Sequence, residues 1–492
     1  MDLTHQFANG VIAKGIQRGD RVGVVMSNGI PMLQALLGIM SAGAVSVPIN
    51  LSVNSEALVN MMRDANVSAI IVTSDQLFRI DALRQELPAS VELFVCDKKL
   101  TDEKECDEKE CDEQSRHWIT VEELCASQPN SQPDVSIDHD NLLNIIYSSG
   151  TTGMPKGIAH THQARRDWAY DLGIALRYNG GAKTLVTIGL YSNISWIGML
   201  CTLIAGGTLI IHKKFDAKSF LDDVRDRGVT HTAMVPLQFQ RVSELMHSHQ
   251  HDVSSMQAMM CCGSPLHADL KQTLFEQFPC GVIELYGLTE GIITTLEPEQ
   301  AEGRWSSVGK PLVGTDILII DDEGAPQNRG VSGEVVSRGR ISMAGYYNNQ
   351  EATNASVYID TQGVKWLRSG DIGYLDSDGF LFIVDRKKDM ILSGGQNIYP
   401  QDIEAVLKKH QWVDDVAVIG AKSNRWGETP VALVVAKKPN IDTQSLKNWA
   451  NHKLGKQQRI TDIRVVRELP RNPNGKLLKR ELRKEFEDVV YE

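Results

Sequence analysis

Between residues 21 and 72 short β-branched apolar runs alternate with longer stretches whose apolar positions recur at helical spacing. The pattern predicts strand over 22–26, helix over 31–42, strand over 44–48, helix over 56–65 and strand over 69–72. Such alternation implies a parallel sheet with crossover helices. It recurs as strand at 209–211, helix at 219–226, strand at 232–235 and helix at 238–247. A further helix, 6–16, is expected near the start, and the apolar run 142–146 reads as another strand. The body is therefore one large α/β unit, or two related ones packed together.

Two long uncharged stretches, 22–55 and 189–211, fail as membrane spans because glycine and proline cut them. Pro31, Gly38, Gly43 and Pro48 divide the first, and Gly206-Gly207 precedes a β-branched strand in the second. A boundary is expected at 385–389, where an apolar strand ends in a charged turn and a new β/α pattern starts. The domains are then 1–385 and 386–492, and the second has its own apolar set, including Val416, Val418, Val431 and Leu433.

The chain has 492 residues, with 51 Lys plus Arg against 62 Asp plus Glu, a formal charge of -11 that offers no general attraction for nucleic acid or an anionic membrane. Met1-Asp2-Leu3-Thr4-His5 does not begin a secretory leader, so a cytoplasmic location is expected. Eight cysteines without metal-site spacing read as free, mostly buried thiols. The alternation His247, His249, His251 reads as a polar helix end rather than a chelate. The tandem Glu-Lys-Glu-Cys-Asp repeat within 102–113, with Cys106 and Cys111, reads as a solvated loop or short exposed helix.

The strongest chemical signal is Tyr147-Ser148-Ser149-Gly150-Thr151-Thr152-Gly153-Met154-Pro155-Lys156-Gly157, directly after an apolar strand. Glycines let backbone N–H groups turn toward an anion, hydroxyls add donors and Lys156 adds charge, as a polyphosphate cradle needs. It is not a Walker A loop, because Lys156 lies between Pro155 and Gly157. Downstream come Gly263-Ser264-Pro265, then Tyr286-Gly287-Leu288-Thr289-Glu290, where an aromatic face can stack on a purine and a carboxylate can hold magnesium. Ser369-Gly370-Asp371, Asp385-Arg386-Lys387-Lys388-Asp389, Ser393-Gly394-Gly395-Gln396 and Asn472-Pro473-Asn474-Gly475-Lys476 complete the series.

In this order the motifs resemble those of the adenylate-forming superfamily of acyl-CoA synthetases, peptide-synthetase adenylation domains and firefly-type luciferases. The resemblance covers nearly the whole chain. It implies a large N-terminal domain of packed α/β subdomains, mostly parallel sheets plus a small barrel-like β part, and a small α+β C-terminal domain joined by a hinge. It also implies a nucleotide site of Ser148, Ser149, Gly150, Thr151, Thr152, Gly153 and Lys156, with Gly263, Ser264 and Pro265 beside the adenine. Tyr286, Gly287 and Thr289 would complete the purine side, Glu290 would hold Mg2+, and Asp371 and Arg386 would meet the ribose. Lys388 becomes the pivot, Gly394 and Gly395 line the way for the pantetheine arm of CoA, and Lys476 is the catalytic lysine, acting with Glu290 and Thr151.

The implied reaction couples a carboxylic acid to a thiol in two steps, with ATP, Mg2+ and CoA, and the small domain turns about Lys388 between them. An acyl-CoA ligase is expected ahead of an enzyme loading a carrier protein or a non-catalytic nucleotide-binding relative; a homodimer is left open. The acyl pocket is expected among Tyr191, Trp196, Val235, Pro236, Phe239, Cys261, Gly287 and Ile292, whose apolar character favours an uncharged organic acid. Ser192 stands where many relatives have a histidine beside that pocket. The expected N-terminal element is also shorter than in relatives.

Overall fold

The computed structural model describes all residues except 99–117, 149–154, 249–250, 395, 457 and 472–475. The Glu-Lys-Glu-Cys-Asp repeat with Cys106 and Cys111, His249, the loop residues Ser149, Gly150, Thr151, Thr152 and Gly153, and Gly395 lie outside the described residues.

The chain forms two compact units. The first comprises Met1–Trp305, Pro311–Thr315 and Arg338–Val357, and the second Ser306–Lys310, Asp316–Ser337 and Tyr358–Glu492. The second unit thus includes segments that precede Asp385 as well as the C-terminal segment, and the strand Leu381–Arg386 runs across the expected boundary.

The first unit holds two sheets. In one, the parallel strands Arg21–Val25, Val45–Pro48, Ala69–Val72, Leu93–Cys96 and Trp118–Thr120 continue through Leu142–Ser148, which pairs antiparallel with Lys156–Thr161. The other runs Ile293–Leu296, Ile283–Gly287, Ala258–Cys261, His231–Met234, Lys183–Val186 and Thr208–Ile211, parallel except for the first pair. Strand residues of this second sheet alternate between two cores, as a pleat requires. Val186, Ala233 and Met260 join Trp168, Trp196 and residues of the first sheet such as Ile71, while Leu185, Met234 and Met259 face Phe220 and Phe239.

Local signals explain the helix limits. Pro31 lies in the first turn of Ile30–Ser41, Asn54 caps Ser55–Asp64 by accepting from the Ala57 N–H, and Gly206 ends Asn193–Ala205 at φ 77°. The first helix is Asp2–Ala13, beginning before the expected 6–16 because polar Asp2 and Thr4 lie on the same helix as buried Phe7, Ala8 and Val11.

A five-stranded sheet of Thr315–Ile320, Gly333–Gly339, Lys365–Leu375, Val357–Ile359 and Leu381–Arg386 lies mostly in the second unit. A C-terminal sheet centres on the long pair Val413–Ser423 and Gly427–Ala436, covered on one face by Pro400–Lys408 and Thr443–Lys453 and on the other by Lys479–Lys484. Among the described residues no helix is long and apolar enough to cross a membrane, and the six described cysteines are free thiols.

Glycine spacing sets how closely the first helix packs. A Cβ on Gly10 would stand 2.4 Å from the Leu124 carbonyl oxygen, whereas one on Gly173 would meet nothing within 4 Å. Gly10→Ala should therefore cost about 1–3 kcal/mol. Gly173→Ala, in a helix with open space, should gain about 0.5–1 kcal/mol. Urea titration of both variants checks the opposite signs.

Candidate active site

The parallel strands of the second sheet all end on one edge, the edge where open α/β sheets bind ligands. The turn 189–193 follows Lys183–Val186, Val235 follows His231–Met234, Gly263-Ser264-Pro265 follows Ala258–Cys261, and 286–290 closes Ile283–Gly287. Topology thus brings together segments nearly 100 residues apart in sequence. Gly263 has φ +94°, and a Cβ there would press on Ile194 and Val235 at 3.1 and 3.2 Å. Gly287 needs to be glycine for a different reason: its Cβ would lie 2.6 Å from the Ile292 carbonyl oxygen, inside the tight return to the antiparallel strand. Tyr286 and Thr289 are half-buried, and the Thr289 carbonyl accepts a hydrogen bond from His160 Nε2 at 2.8 Å.

The phosphate-loop ends are held by the sheet, with Ser148 opposite Lys156 in the antiparallel pair Leu142–Ser148 and Lys156–Thr161. The segment 149–154 therefore joins two strands, and the anion donors expected there are its backbone N–H groups, its hydroxyls and Lys156. The Lys156 ammonium is 4.8 Å from the centre of the Tyr346 ring, and the Tyr346 hydroxyl donates to Glu290 Oε1 at 2.9 Å. Burial and the Glu290 carboxylate push the Tyr346 hydroxyl above its usual range, so it remains a donor. Tyr346 thus links Lys156 to Glu290. Sequence reasoning missed it, and the signal available was the Gly345-Tyr346-Tyr347 run.

The expected acyl-pocket set divides. Tyr191, Trp196 and Val235 belong to the core between the two sheets. Phe239 does not: it packs with Phe220 and Met234 on the opposite face, because its helix Pro236–Ser248 crosses that side, and it leaves the pocket set. Cys261 follows Phe239 for the same reason, whereas Ile292 is buried at the base of the 287–292 return. Trp196 is sealed, with its indole N–H donating to the Leu190 carbonyl at 2.7 Å, so it does not cap an open pocket. Ser192, where an imidazole was expected, accepts from the Ile194 N–H at 3.3 Å as the cap of Asn193–Ala205.

In the second unit, strand register aligns two motifs. Asp371 and Arg386 are direct partners across Lys365–Leu375 and Leu381–Arg386, and Arg386 Nε lies 3.1 Å from Asp371 Oδ1. The Ser369 hydroxyl braces the turn before Asp371: it donates to the Val335 carbonyl at 2.6 Å and accepts from the Asp371 N–H at 2.9 Å. Gly370, at φ +68°, accepts from the Lys387 N–H at 2.9 Å. Asp385 accepts from the N–H groups of Arg386 and Gln401 at 2.7 and 3.1 Å, and burial raises its carboxyl to about 6. Gly394, at φ +58°, turns the hairpin of Ile391–Ser393 and Gln396–Ile398 under the ring of Trp426.

Lys476 belongs to this electrostatic group. The stem of its loop is closed by the bridge Arg471↔Leu477 and anchored by Arg471 on Asp415 at 2.6 Å. Burial, and after it the positive charges of Arg386 and Lys388, lower the Lys476 amine to about 8, with Asp371 and Asp389 opposing. Burial and Arg386 lower Lys388 to about 8 as well. Three cations thus share one region of an acidic chain, which favours a polyanionic ligand there.

The sequence pattern of the family described as AMP-binding enzyme matches residues 1–347, and that of the AMP-binding enzyme C-terminal domain matches residues 402–476. A feruloyl-CoA synthase from an Amycolatopsis species is 31% identical over 486 residues, covering 98% of this chain and 92% of that protein. The long-chain-fatty-acid–CoA ligase FadD13 of Mycobacterium tuberculosis is 30% identical, covering 99% of this chain and 92% of its own. ATP-bound MatB from Rhodopseudomonas palustris shares the fold, with a TM-score of 0.87 at 24% identity over 99% of this chain and 93% of its own.

The lysine shift gives a stability prediction of definite sign. The folded-state value of about 8 lies below the ordinary 10.5, so between the two the unfolded chain holds a proton that the folded chain has lost. Stability from this group therefore rises with pH across that window, and below it the folded state carries the full cost of the crowded cation. Lys476→Met should raise the thermal midpoint by about 2–4 °C at pH 7. Calorimetry should find the gain shrinking above pH 8; a lower midpoint at pH 7 would contradict the crowding.

Proposed function

Because the chain belongs to the AMP-binding enzyme family, we propose that it is an ATP-dependent acyl-CoA ligase acting on an organic acid without a second charge. The observation that carries the reading is the grouping of Lys476 with Asp371, Arg386 and Lys388, a lysine whose amine is lowered by burial and then by its neighbours' charges. A protein that only binds nucleotide has no use for such a group.

A carboxylate resists thiol attack because its leaving group would be oxide. ATP removes that barrier: a carboxylate oxygen attacks the α-phosphorus, the bond to the pyrophosphate oxygen breaks, and acyl-AMP forms. The CoA thiolate then attacks the acyl carbon, and AMP leaves with the former carboxylate oxygen. Lys156 and Lys476 neutralise charge on the phosphates and bridging oxygen, and the Ser148 and Thr289 hydroxyls donate to phosphate oxygens. Tyr286 stacks on the purine. Asp371, already bonded to Arg386, accepts from ribose hydroxyls.

The donor set suits magnesium brought by the nucleotide. Among the described residues no group of three or more His, Cys, Asp or Glu could hold a metal alone. Glu290 offers one carboxylate, oriented by Tyr346, and hard divalent cations of this kind take their remaining oxygens from phosphate and water. When bound, the ion supplies charge neutralisation on the phosphates. CoA as acceptor is supported by the names of the relatives and by the glycine turn at Gly394. Those relatives include an aromatic and a long-chain acid ligase, so the apolar lining at Tyr191 and Val235 supports only the broader class.

The test is magnesium- and ATP-dependent pyrophosphate release across short, medium, long-chain and aryl acids, with and without CoA. Release with one acid class, and acyl-CoA only when CoA is added, is expected; release without transfer to CoA would indicate a carrier-protein thiol, and silence across the panel would overturn the reading. Lys476→Ala should lower adenylation about 100-fold or more, while thioester formation from supplied acyl-AMP changes only severalfold. Equal damage to both half-reactions would contradict the assigned role.

A further inference from the structure

Helix His162–Ala175 carries a cation that the reaction above does not use. Arg165 is 2% exposed, and among the described residues no carboxylate lies within ion-pair distance of it. Its hydrogen-bond partners are neutral: Nε donates to Asn144 Oδ1 at 2.9 Å, one terminal nitrogen to Asn193 Oδ1 at 2.7 Å, and the other to His160 Nδ1 at 3.3 Å. The rings of Trp168 and Trp196 lie 4.8 and 5.2 Å from the guanidinium carbon. Burying a cation without a counter-ion is costly, and a neutral side chain could have filled the space.

The guanidinium decides the state of its neighbour. Two donors, Arg165 and the Asn144 amide at 3.5 Å, face His160 Nδ1, so that nitrogen must be the bare acceptor. The ring hydrogen is then on Nε2, where it donates to the Thr289 carbonyl at 2.8 Å. Burial and the adjacent guanidinium both hold the imidazole pKa well below its ordinary value, so the ring remains neutral. The next residue, Glu290, is held separately: its carbonyl accepts from the Met343 N–H at 2.8 Å and its carboxylate from Tyr346. The 286–290 turn is thus fastened from two sides, and one side depends on a tautomer.

We propose that Arg165 and His160 are positioning residues for the nucleotide-binding turn 286–290: the buried cation locks the imidazole in its Nε2–H tautomer, and that N–H fixes the Thr289 carbonyl and so aims the Thr289 and Glu290 side chains at MgATP. The inference rests on the proposed ATP-dependent function. Through Asn193 the same guanidinium also holds the start of the helix that follows Tyr191 and Ser192.

The test compares two shortenings of the imidazole. The amide nitrogen of His160→Gln reaches the place of Nε2 and can donate to Thr289, whereas the amide of His160→Asn ends at the place of Nδ1 and cannot. With an acid that supports pyrophosphate release, His160→Asn should raise the KM for MgATP about tenfold while the acid KM changes less than about twofold. His160→Gln should stay within about threefold of the parent. Equal MgATP KM values in the two variants, or a parallel rise in both substrates' KM values, would overturn the proposal, since a merely structural role does not distinguish the donor. If His160→Asn does not fold, Arg165→Lys, which retains the charge but loses the fork on Nδ1, should raise the MgATP KM; an unchanged value would overturn it. If the parent protein releases no pyrophosphate with any acid of the panel, the ligase reading fails alone, and calorimetric MgATP binding by the same variants decides the positioning role by the same ordering.

Discussion

The hydrogen bond from His160 to the Thr289 carbonyl ties together two sheets of the first unit that share no strand. His160 lies in the strand that begins at Lys156, and Thr289 lies in the motif that begins at Tyr286, so one part-buried contact sets the distance between the strand stem at Ser148 and Lys156 and the 286–290 turn. A buried carbonyl in a turn must find a donor. Here the donor is a side chain whose hydrogen is placed by Arg165, and the adjacent Tyr346 links Lys156 and Glu290 at the same edge. A cation, an imidazole and a phenol thereby convert two separate strand ends into one chemical edge.

Parallel pairing supplies the rest of that geometry. Because neighbouring strands run the same way, their following loops collect on one side without any loop being long. Gly263 and Gly287 are then required by crowding: one turn passes Ile194 and Val235, the other folds back on the Ile292 carbonyl. These contacts join local backbone freedom to the shape of the binding edge. The opposite face of the same sheet, with Phe220, Met234 and Phe239, is packed core.

In the second unit the governing effect is charge concentration. A chain with a net charge of -11 gathers Arg386, Lys388 and Lys476 into one region and offsets them only in part with Asp371 and Asp389. Burial, and after it this crowding, lowers both lysines toward neutral pH. The same repulsion that costs stability leaves a positive field that suits a polyanion, a trade expected where function opposes stability.

The residues by themselves determined the alternation of elements. The expected strands 22–26, 44–48 and 69–72 correspond to Arg21–Val25, Val45–Pro48 and Ala69–Val72, because β-branched runs bounded by Gly and Pro carry their own local signal. Motif order likewise marked Lys156, Glu290, Asp371, Arg386 and Lys476 as chemical candidates. What only tertiary structure decided are relations between distant positions: Asp371 opposite Arg386 by strand register, Tyr346 between Lys156 and Glu290, and Phe239 turned to the wrong face for the pocket. Arg165 and His160 read as ordinary polar positions in the sequence, since hydrophobic periodicity records which face is buried and carries no trace of what a buried polar group meets there.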